Sequence, residues 1–256
     1  MIIIFAEERR IEILDKIDKE NSVTVEELAK TYKVTSATIR RDLELLEKQG
    51  YLMRTHGGAV INDDSRNEMT FLQKHKDVSI EKENIGKYAA NLVKEGDTIV
   101  IDASSTTIQM VKYIKNIKNI NVITNSIDVV TELTDVPGIQ VISTGGIIRA
   151  KTRAMVGPIT KNVVDSLISD KIFIGANGID IEHGIASTHI LEGEIKKAMI
   201  SNTKQIIFMC ESYKFDKVRM FKVCDLEAAN LIITDDKIEN EVFDKYSKKV
   251  KIVKAN

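Results

Sequence analysis

The stretch Thr35–Gly50, TSATIRRDLELLEKQG, gathers residue types that can read a nucleic-acid duplex. Hydroxyls at Thr35, Ser36 and Thr38 precede the guanidinium pair Arg40 and Arg41. Arginine forks match guanine edges in a major groove, and hydroxyls and helix N-termini hold phosphates. A second set lies further along the chain: DASSTT (Asp102 to Thr107, with Ser104, Ser105 and Thr106), TNS (Thr124, Asn125, Ser126), TGG (Thr144, Gly145, Gly146) and GANG (Gly175 to Gly178). Hydroxyls and free backbone N–H groups at a helix start accept phosphate, and Asp102 can take hydrogen bonds from sugar hydroxyls. TGGIIR adds Arg149, as a second anion contact or as half of a surface ion pair. The same residue types also serve as ordinary helix caps and solvated helix faces, so the elements that position them must decide.

Around the first set, Ile39, Leu43 and Leu46 recur at helical spacing, with Thr35 or Ser36 as cap and Gly50 as terminator. Upstream, Ile11, Leu14 and Ile17, with Ile13 alongside, predict a helix over Arg9–Ile17. Thr24 and Glu27 have capping-box spacing ahead of a short helix with Val25, Leu28 and Ala29. Tyr32 to Val34 turns into the third helix. Downstream, Tyr51–Met53 and Ala59–Ile61 read as strands joined by a turn at Gly57 and Gly58, with Arg54 and His56 near its tip. Three helices and a two-stranded wing make a winged helix-turn-helix over residues 1–61, a shape that binds DNA duplexes. Acidic residues such as Glu7, Glu8, Glu26 and Glu44 roughly balance the basic ones. Affinity must then come from a few focused contacts and from two copies of the domain.

The polar stretch Asn62 to Arg66 marks a hinge, and a connecting helix is expected over Glu68–Lys76, so residues 62–79 form the linker. Beyond it, a helix over Ile80–Val93 precedes a simple rhythm. The apolar runs TIVI (98–101), NVIT (121–124), QVIS (140–143), KIFIG (171–175), QIIFM (205–209) and LIIT (231–234) alternate with helical segments. Runs of this kind fit strands buried on both faces, hence an open, mostly parallel α/β domain over residues 80–256. Ligands bind such sheets beyond the carboxyl ends of their strands, where the second set of residues falls.

A formal net charge of −1 excludes a polycation that coats nucleic acid indiscriminately. No apolar run reaches a membrane span, and the four apolar residues that open MIIIFAEERR are too few for a signal-peptide core. A cytoplasmic protein is expected, with Cys210 and Cys224 as reduced, buried thiols. His56, His75, His183 and His189 lack metal-ligand spacing, so neither metal nor cofactor is expected.

VTSATIRRDLELLEKQGYLMRTHGGAV resembles the N-terminal signature of the DeoR family of bacterial transcriptional regulators, with TIRRDL at Thr38–Leu43 and HGGA at His56–Ala59. DASSTT, VITNS, STGG, VGP, GANGI, GEIKKAMI and SYKF follow in the order of that family's sensor domain. The resemblance implies a fold similar to ribose-5-phosphate isomerase and CoA-transferase domains, and a phosphorylated sugar or related metabolite as effector. By position, Asp102, Ser105, Thr106 and Thr107 would line a phosphate loop, with Thr124, Asn125 and Gly146 nearby and Glu194 and Lys214 as further polar residues. The implied function is a repressor of a sugar or polyol operon that binds double-stranded operator DNA as a homodimer or homotetramer. A sugar-phosphate isomerase-like enzyme with an appended DNA module is the alternative, with Asp102, Glu194 and Lys214 in acid–base roles. Two departures bear on the ligand. Ser104 replaces a glycine of the family loop, and Glu211 to Asp216 (ESYKFD) replaces D-x-S-K-F-G.

Overall fold

The computed structural model describes residues 6–20, 22–48, 52–61 and 79–256. The chain divides into two compact units, Met1–Gln73 and Lys74–Asn256. Residues 62–78, including the expected connecting helix, lie outside the described residues, as does Gly50.

In the first unit, α1 (Ala6–Glu20), α2 (Val25–Tyr32) and α3 (Ser36–Lys48) pack around Ile13, Ile17, Leu28, Ile39, Leu43 and Leu46. Thr24 caps α2, its hydroxyl accepting from the Glu27 N–H at 3.2 Å. The reciprocal half of the box is replaced, because the Glu27 carboxylate accepts from Lys16 at 3.0 Å. The turn into α3 passes through Lys33 in the left-handed region (φ 53°), and Thr35 caps α3 by accepting from the Thr38 N–H at 3.2 Å. The wing has three strands where two were expected. Between β2 (Leu52–Arg54) and β1 (Ser22–Thr24) lies β3 (Gly58–Ile61), antiparallel to both. Gly58 is required there, since a Cβ would meet the Val23 carbonyl oxygen at 1.9 Å.

One polar contact holds this small core. Asp42 lies on the buried face of α3 with Ile39, Leu43 and Leu46 and accepts from Arg9 Nε of α1 at 2.8 Å, both side chains less than a tenth exposed. Arg10 lies 4.0 Å from the other carboxylate oxygen.

The second unit is built on a seven-stranded parallel sheet in the order β15-β14-β12-β9-β4-β5-β6. These strands are β4 (Thr98–Ile101), β5 (Ile120–Thr124), β6 (Ile139–Ser143), β9 (Ser169–Gly175), β12 (Thr203–Met209), β14 (Leu231–Asp235) and β15 (Ile252–Ala255). All six predicted runs are strands of this sheet, and β15 is a seventh. Alternate residues serve opposite faces. Ile99, Ile101, Phe173 and Ile207 pack under α4 (Ile80–Ala90), α5 (Val111–Ile114) and α6 (Ile127–Leu133). Val100, Ile172, Phe208 and Ile232 face a second core with α7 (Pro158–Asp165), α8 (Ile190–Ser201) and α9 (Asn240–Ser247). Two additions were not expected: an antiparallel ribbon of β7 (Ile147–Arg149) and β8 (Ala154–Val156), and a small sheet of β10 (Gly178–Asp180), β11 (Gly184–Ser187) and β13 (Phe221–Cys224).

The strand order places a reversal between β4 and β9. The chain lays β5 and β6 outward on one side of β4, then returns to add β9, β12, β14 and β15 on the other. Such a reversal opens a crevice at the strands' carboxyl ends.

Removing one partner of a buried ion pair costs about 3–5 kcal/mol, because the other charge is left uncompensated. Asp42→Ala is therefore predicted to lower hydrogen-exchange protection in α1 and α3 by an amount on that order while leaving the parallel sheet unchanged. Equal loss in both units, or none, would contradict this account of the helical core.

Candidate functional site

In the first unit the polar end of α3 is presented to solvent. Thr35, Arg40, Arg41, Arg54 and His56 are exposed, and Ser36 and Thr38 half-buried. Among the described residues Arg40 and Arg41 have no ion-pair partner, in contrast to Asp42 beside them, which points inward. The Thr35 and Thr38 hydroxyls lie 3.0 Å apart at the helix start. Arg54 is held differently. Its backbone N–H and its Nε donate to the two oxygens of Glu47, at 2.9 and 2.7 Å, which fastens β2 to α3.

In the second unit, Asp102 follows β4 and is 2% exposed. Its Oδ1 accepts from the Thr107 hydroxyl at 3.0 Å and from the Gly175 N–H, at the end of β9, at 3.2 Å. Its Oδ2 accepts from Lys196 of α8, whose ammonium also donates to the Gly175 carbonyl at 2.8 Å. Asp102 and Lys196 thus bridge the two strands at the reversal. Asn125, past β5, extends the bridge: its Oδ1 accepts from the Ala103 N–H at 3.0 Å and its Nδ2 donates to the Met155 carbonyl at 3.1 Å. The Thr124 hydroxyl donates to the Ile101 carbonyl at 2.6 Å.

The hydroxyls of DASSTT are largely turned inward. Thr107 caps the loop through Asp102 and the Ser104 carbonyl, and the buried Ser105 receives Gln109 on its carbonyl. Ser104, in place of the family glycine, fits because its partner across the reversal is itself a glycine. A Cβ on Gly175 would stand 2.2 Å from Ser104 Oγ. The serine hydroxyl accepts from the Thr106 N–H at 3.3 Å.

Thr106 links this loop to a second cluster. Its hydroxyl donates to Glu211 Oε2 at 3.1 Å, just past β12. Lys214 lies 2.8 Å from the same oxygen, and Lys82 of α4 lies 3.7 Å from Oε1. All three charged side chains are about a tenth exposed or less, so Glu211 sits between two lysines in a nearly dry setting. Burial pushes the Glu211 carboxyl up, but Lys214 and Lys82 outweigh it and hold it down at about 2. Burial likewise disfavours the Lys214 ammonium, and Glu211 more than restores it, raising its pKa.

Other expected residues fall elsewhere. Arg149 pairs with Glu192 of α8, which also accepts from Thr152. The TGG turn is tied to α7 by the Thr160 hydroxyl donating to the Gly145 carbonyl at 2.6 Å, next to Gly146. Glu194 is exposed on α8, and no described contact joins it to Asp102 or Glu211; the charge that reaches the reversal from this helix is Lys196. Asp216, at the motif's glycine position, adopts a left-handed φ of 54°. Its N–H donates to the Tyr246 hydroxyl at 3.2 Å, and Lys245 holds its carboxyl below the usual range. Burial pushes the Cys210 and Cys224 thiols up to about 12, so both stay protonated near neutrality.

Residues 9–65 match the DeoR-like helix-turn-helix domain and residues 78–236 the DeoR C terminal sensor domain. The chain belongs to the DeoR family of transcriptional regulators. It is 35% identical to the uncharacterized HTH-type transcriptional regulator YulB of Bacillus subtilis, over 91% of this chain and 90% of that protein. It is 34% identical to the HTH-type transcriptional repressor GlcR of the same species, over 93% and 92%, and 33% identical to the lactose phosphotransferase system repressor of Lactococcus lactis, over 97% and 98%. Ribose 5-phosphate isomerase A of Methanocaldococcus jannaschii overlaps at a TM-score of 0.39 and 16% identity, over 52% of this chain and 53% of that one. Membership of this family decides for a DNA-binding regulator with a sensor for a small molecule, and against the isomerase alternative. No helix among the described residues is long and apolar enough to cross a membrane.

The charge cluster has a pH signature. Glu211 is held below its ordinary value of 4.5, at about 2, so its contribution to stability is complete above 4.5 and is lost as pH falls toward 2. The stability advantage of wild type over Glu211→Gln is predicted to be constant near neutrality and to shrink across that acid window. An advantage that stays constant down to the lower limit would contradict the pairing.

Proposed function

We propose that this regulator is a repressor of a sugar or polyol utilisation operon, released from its operator by a phosphorylated sugar. The observation that carries the effector half is the convergence of Lys82, Glu211 and Lys214 in a nearly dry setting with the DASSTT loop, to which Thr106 joins them. A phosphate seated there would meet ammonium groups whose attraction is strengthened by the low local dielectric. Ser104 and the TGG turn stand along the same sheet edge to meet sugar hydroxyls, while Asp102, Lys196 and Asn125 hold the edge in shape. The names of relatives support the repressor half: among them are a lactose phosphotransferase system repressor and a putative aga operon transcriptional repressor.

On the DNA side, Thr35, Ser36 and Thr38 contact phosphates, Arg40 or Arg41 reads a base edge, and Arg54 and His56 of the wing touch the flanking backbone. The charge of the whole chain is −1, so a single copy binds weakly, and specificity rests on two copies spaced to two half-sites. A dimer or tetramer in the cytoplasm follows. The effector prefers the sensor conformation that misplaces the paired helices, and a coupling of about 1–3 kcal/mol changes operator affinity roughly 5- to 150-fold.

Two variants test the two halves by fluorescence anisotropy on the DNA upstream of the chain's own gene. Arg40→Ala or Arg41→Ala, whichever reads the base, is predicted to lose about 1–3 kcal/mol of discrimination at one operator position. Unaltered binding in both would remove α3 as the reading element. Lys82→Gln removes one of the ammonium groups beside Glu211 and is predicted to bind operator normally yet resist release by sugar phosphates. Normal release would remove the cluster from the effector site.

A further inference from the structure

Where α3 meets β2, the DNA-binding unit carries an acid that charge alone argues against. Glu47 lies in the last turn of α3, half-buried. Its carboxylate accepts twice from one residue: from the Arg54 backbone N–H at Oε1, 2.9 Å away, and from Arg54 Nε at Oε2, 2.7 Å away. The backbone bond and then the guanidinium hold the Glu47 carboxyl below its ordinary value, so it is charged near neutrality. The neighbouring acid, Glu44, accepts from Lys48 at 2.9 Å instead. The guanidinium is thus fixed to α3 through Nε, and among the described residues no bond reaches its two Nη groups. The turn beyond it is fixed as well. The Thr55 N–H donates to the Gly58 carbonyl, and the Val25 N–H, at the start of α2, to the Gly57 carbonyl, both at 2.9 Å.

We propose that Glu47 is a positioning residue for operator binding, holding the Arg54 guanidinium so that its Nη groups meet a backbone phosphate beside the groove that α3 enters. A guanidinium clasped through Nε keeps the Nη fork, which matches phosphate oxygens. An acid beside a polyanion repels it, but a long side chain ordered in advance loses less entropy on binding. Folding stability does not account for the clasp, because exposed ion pairs contribute little to it. The proposal rests on the reading of Arg54 as a contact to the DNA backbone.

Fluorescence anisotropy with the full chain on the DNA upstream of its own gene tests it. If the charge of Glu47 were all that mattered, neutralising it would tighten binding. Glu47→Gln and Glu47→Ala are expected instead to weaken binding roughly two- to tenfold, the ordering cost of one long side chain. In an Arg54→Ala background the backbone bond to Glu47 remains, and the same changes are expected to have no further effect. Unchanged or tighter binding by the Glu47 variants overturns the proposal. So does an equal loss with and without the Arg54 side chain, which would make Glu47 a brace for the β2 backbone alone. Arg54→Ala by itself tests the underlying contact: it is expected to weaken binding to all sequences alike and to reduce the salt slope by about one. An unaltered affinity and slope there would remove the phosphate contact and the proposal with it, whereas loss in Arg54→Ala with none in the Glu47 variants overturns the proposal alone.

Discussion

The pairing of Asp102 with Lys196 across the ends of β4 and β9 is the contact on which the sensor unit depends. A parallel sheet that grows in both directions from its centre leaves a seam where neighbouring crossovers diverge, and polar backbone at that seam lacks a covering helix. Here one carboxylate receives the Gly175 N–H, the Thr107 hydroxyl and the Lys196 ammonium, and the same ammonium reaches the Gly175 carbonyl. Buried charges persist only when paired and hydrogen-bonded. The seam is therefore closed by groups that cannot be removed singly.

Charge is partitioned in the same way in the DNA-binding unit. Along α3, Arg40 and Arg41 face solvent and Asp42 faces Arg9 in the core. Three consecutive charged residues thus do two unrelated things: the outward pair stands in solvent, and the inward acid ties α3 to α1. The Glu47 clasp on Arg54 extends that control to the wing. Rigid presentation compensates for a modest charge, because pre-ordered contacts lose less entropy on binding.

Much of the fold was legible because its signals are local. TIVI, NVIT and LIIT read as strands since each is a continuous apolar run, and Thr24 reads as a cap from its spacing to Glu27. β15 was missed because Ile252–Ala255 interrupts its apolar residues with Lys254, and β1 because Ser-Val-Thr offers one buried residue. The site was half legible. DASSTT and Lys214 stood out by composition and motif, but Lys82 and Lys196 drew no reading of their own. Their signal was positional: Lys82 lies three residues before Ile85, and Lys196 three before Met199, each on its helix's buried face. Glu194 misled for the converse reason, since a charge beside a buried stripe turns outward when it is two residues off register.

The most direct test of the central claim is hydrogen–deuterium exchange on the full chain with and without a sugar phosphate, the class of effector proposed above. Two loops far apart in sequence, 102–107 and 211–214, meet through Thr106 and Glu211. A ligand seated there must slow exchange in both together, with the amides of the far strands β6 and β15 unaltered. Protection of one loop without the other, or protection confined to a different part of the sheet, would contradict the account.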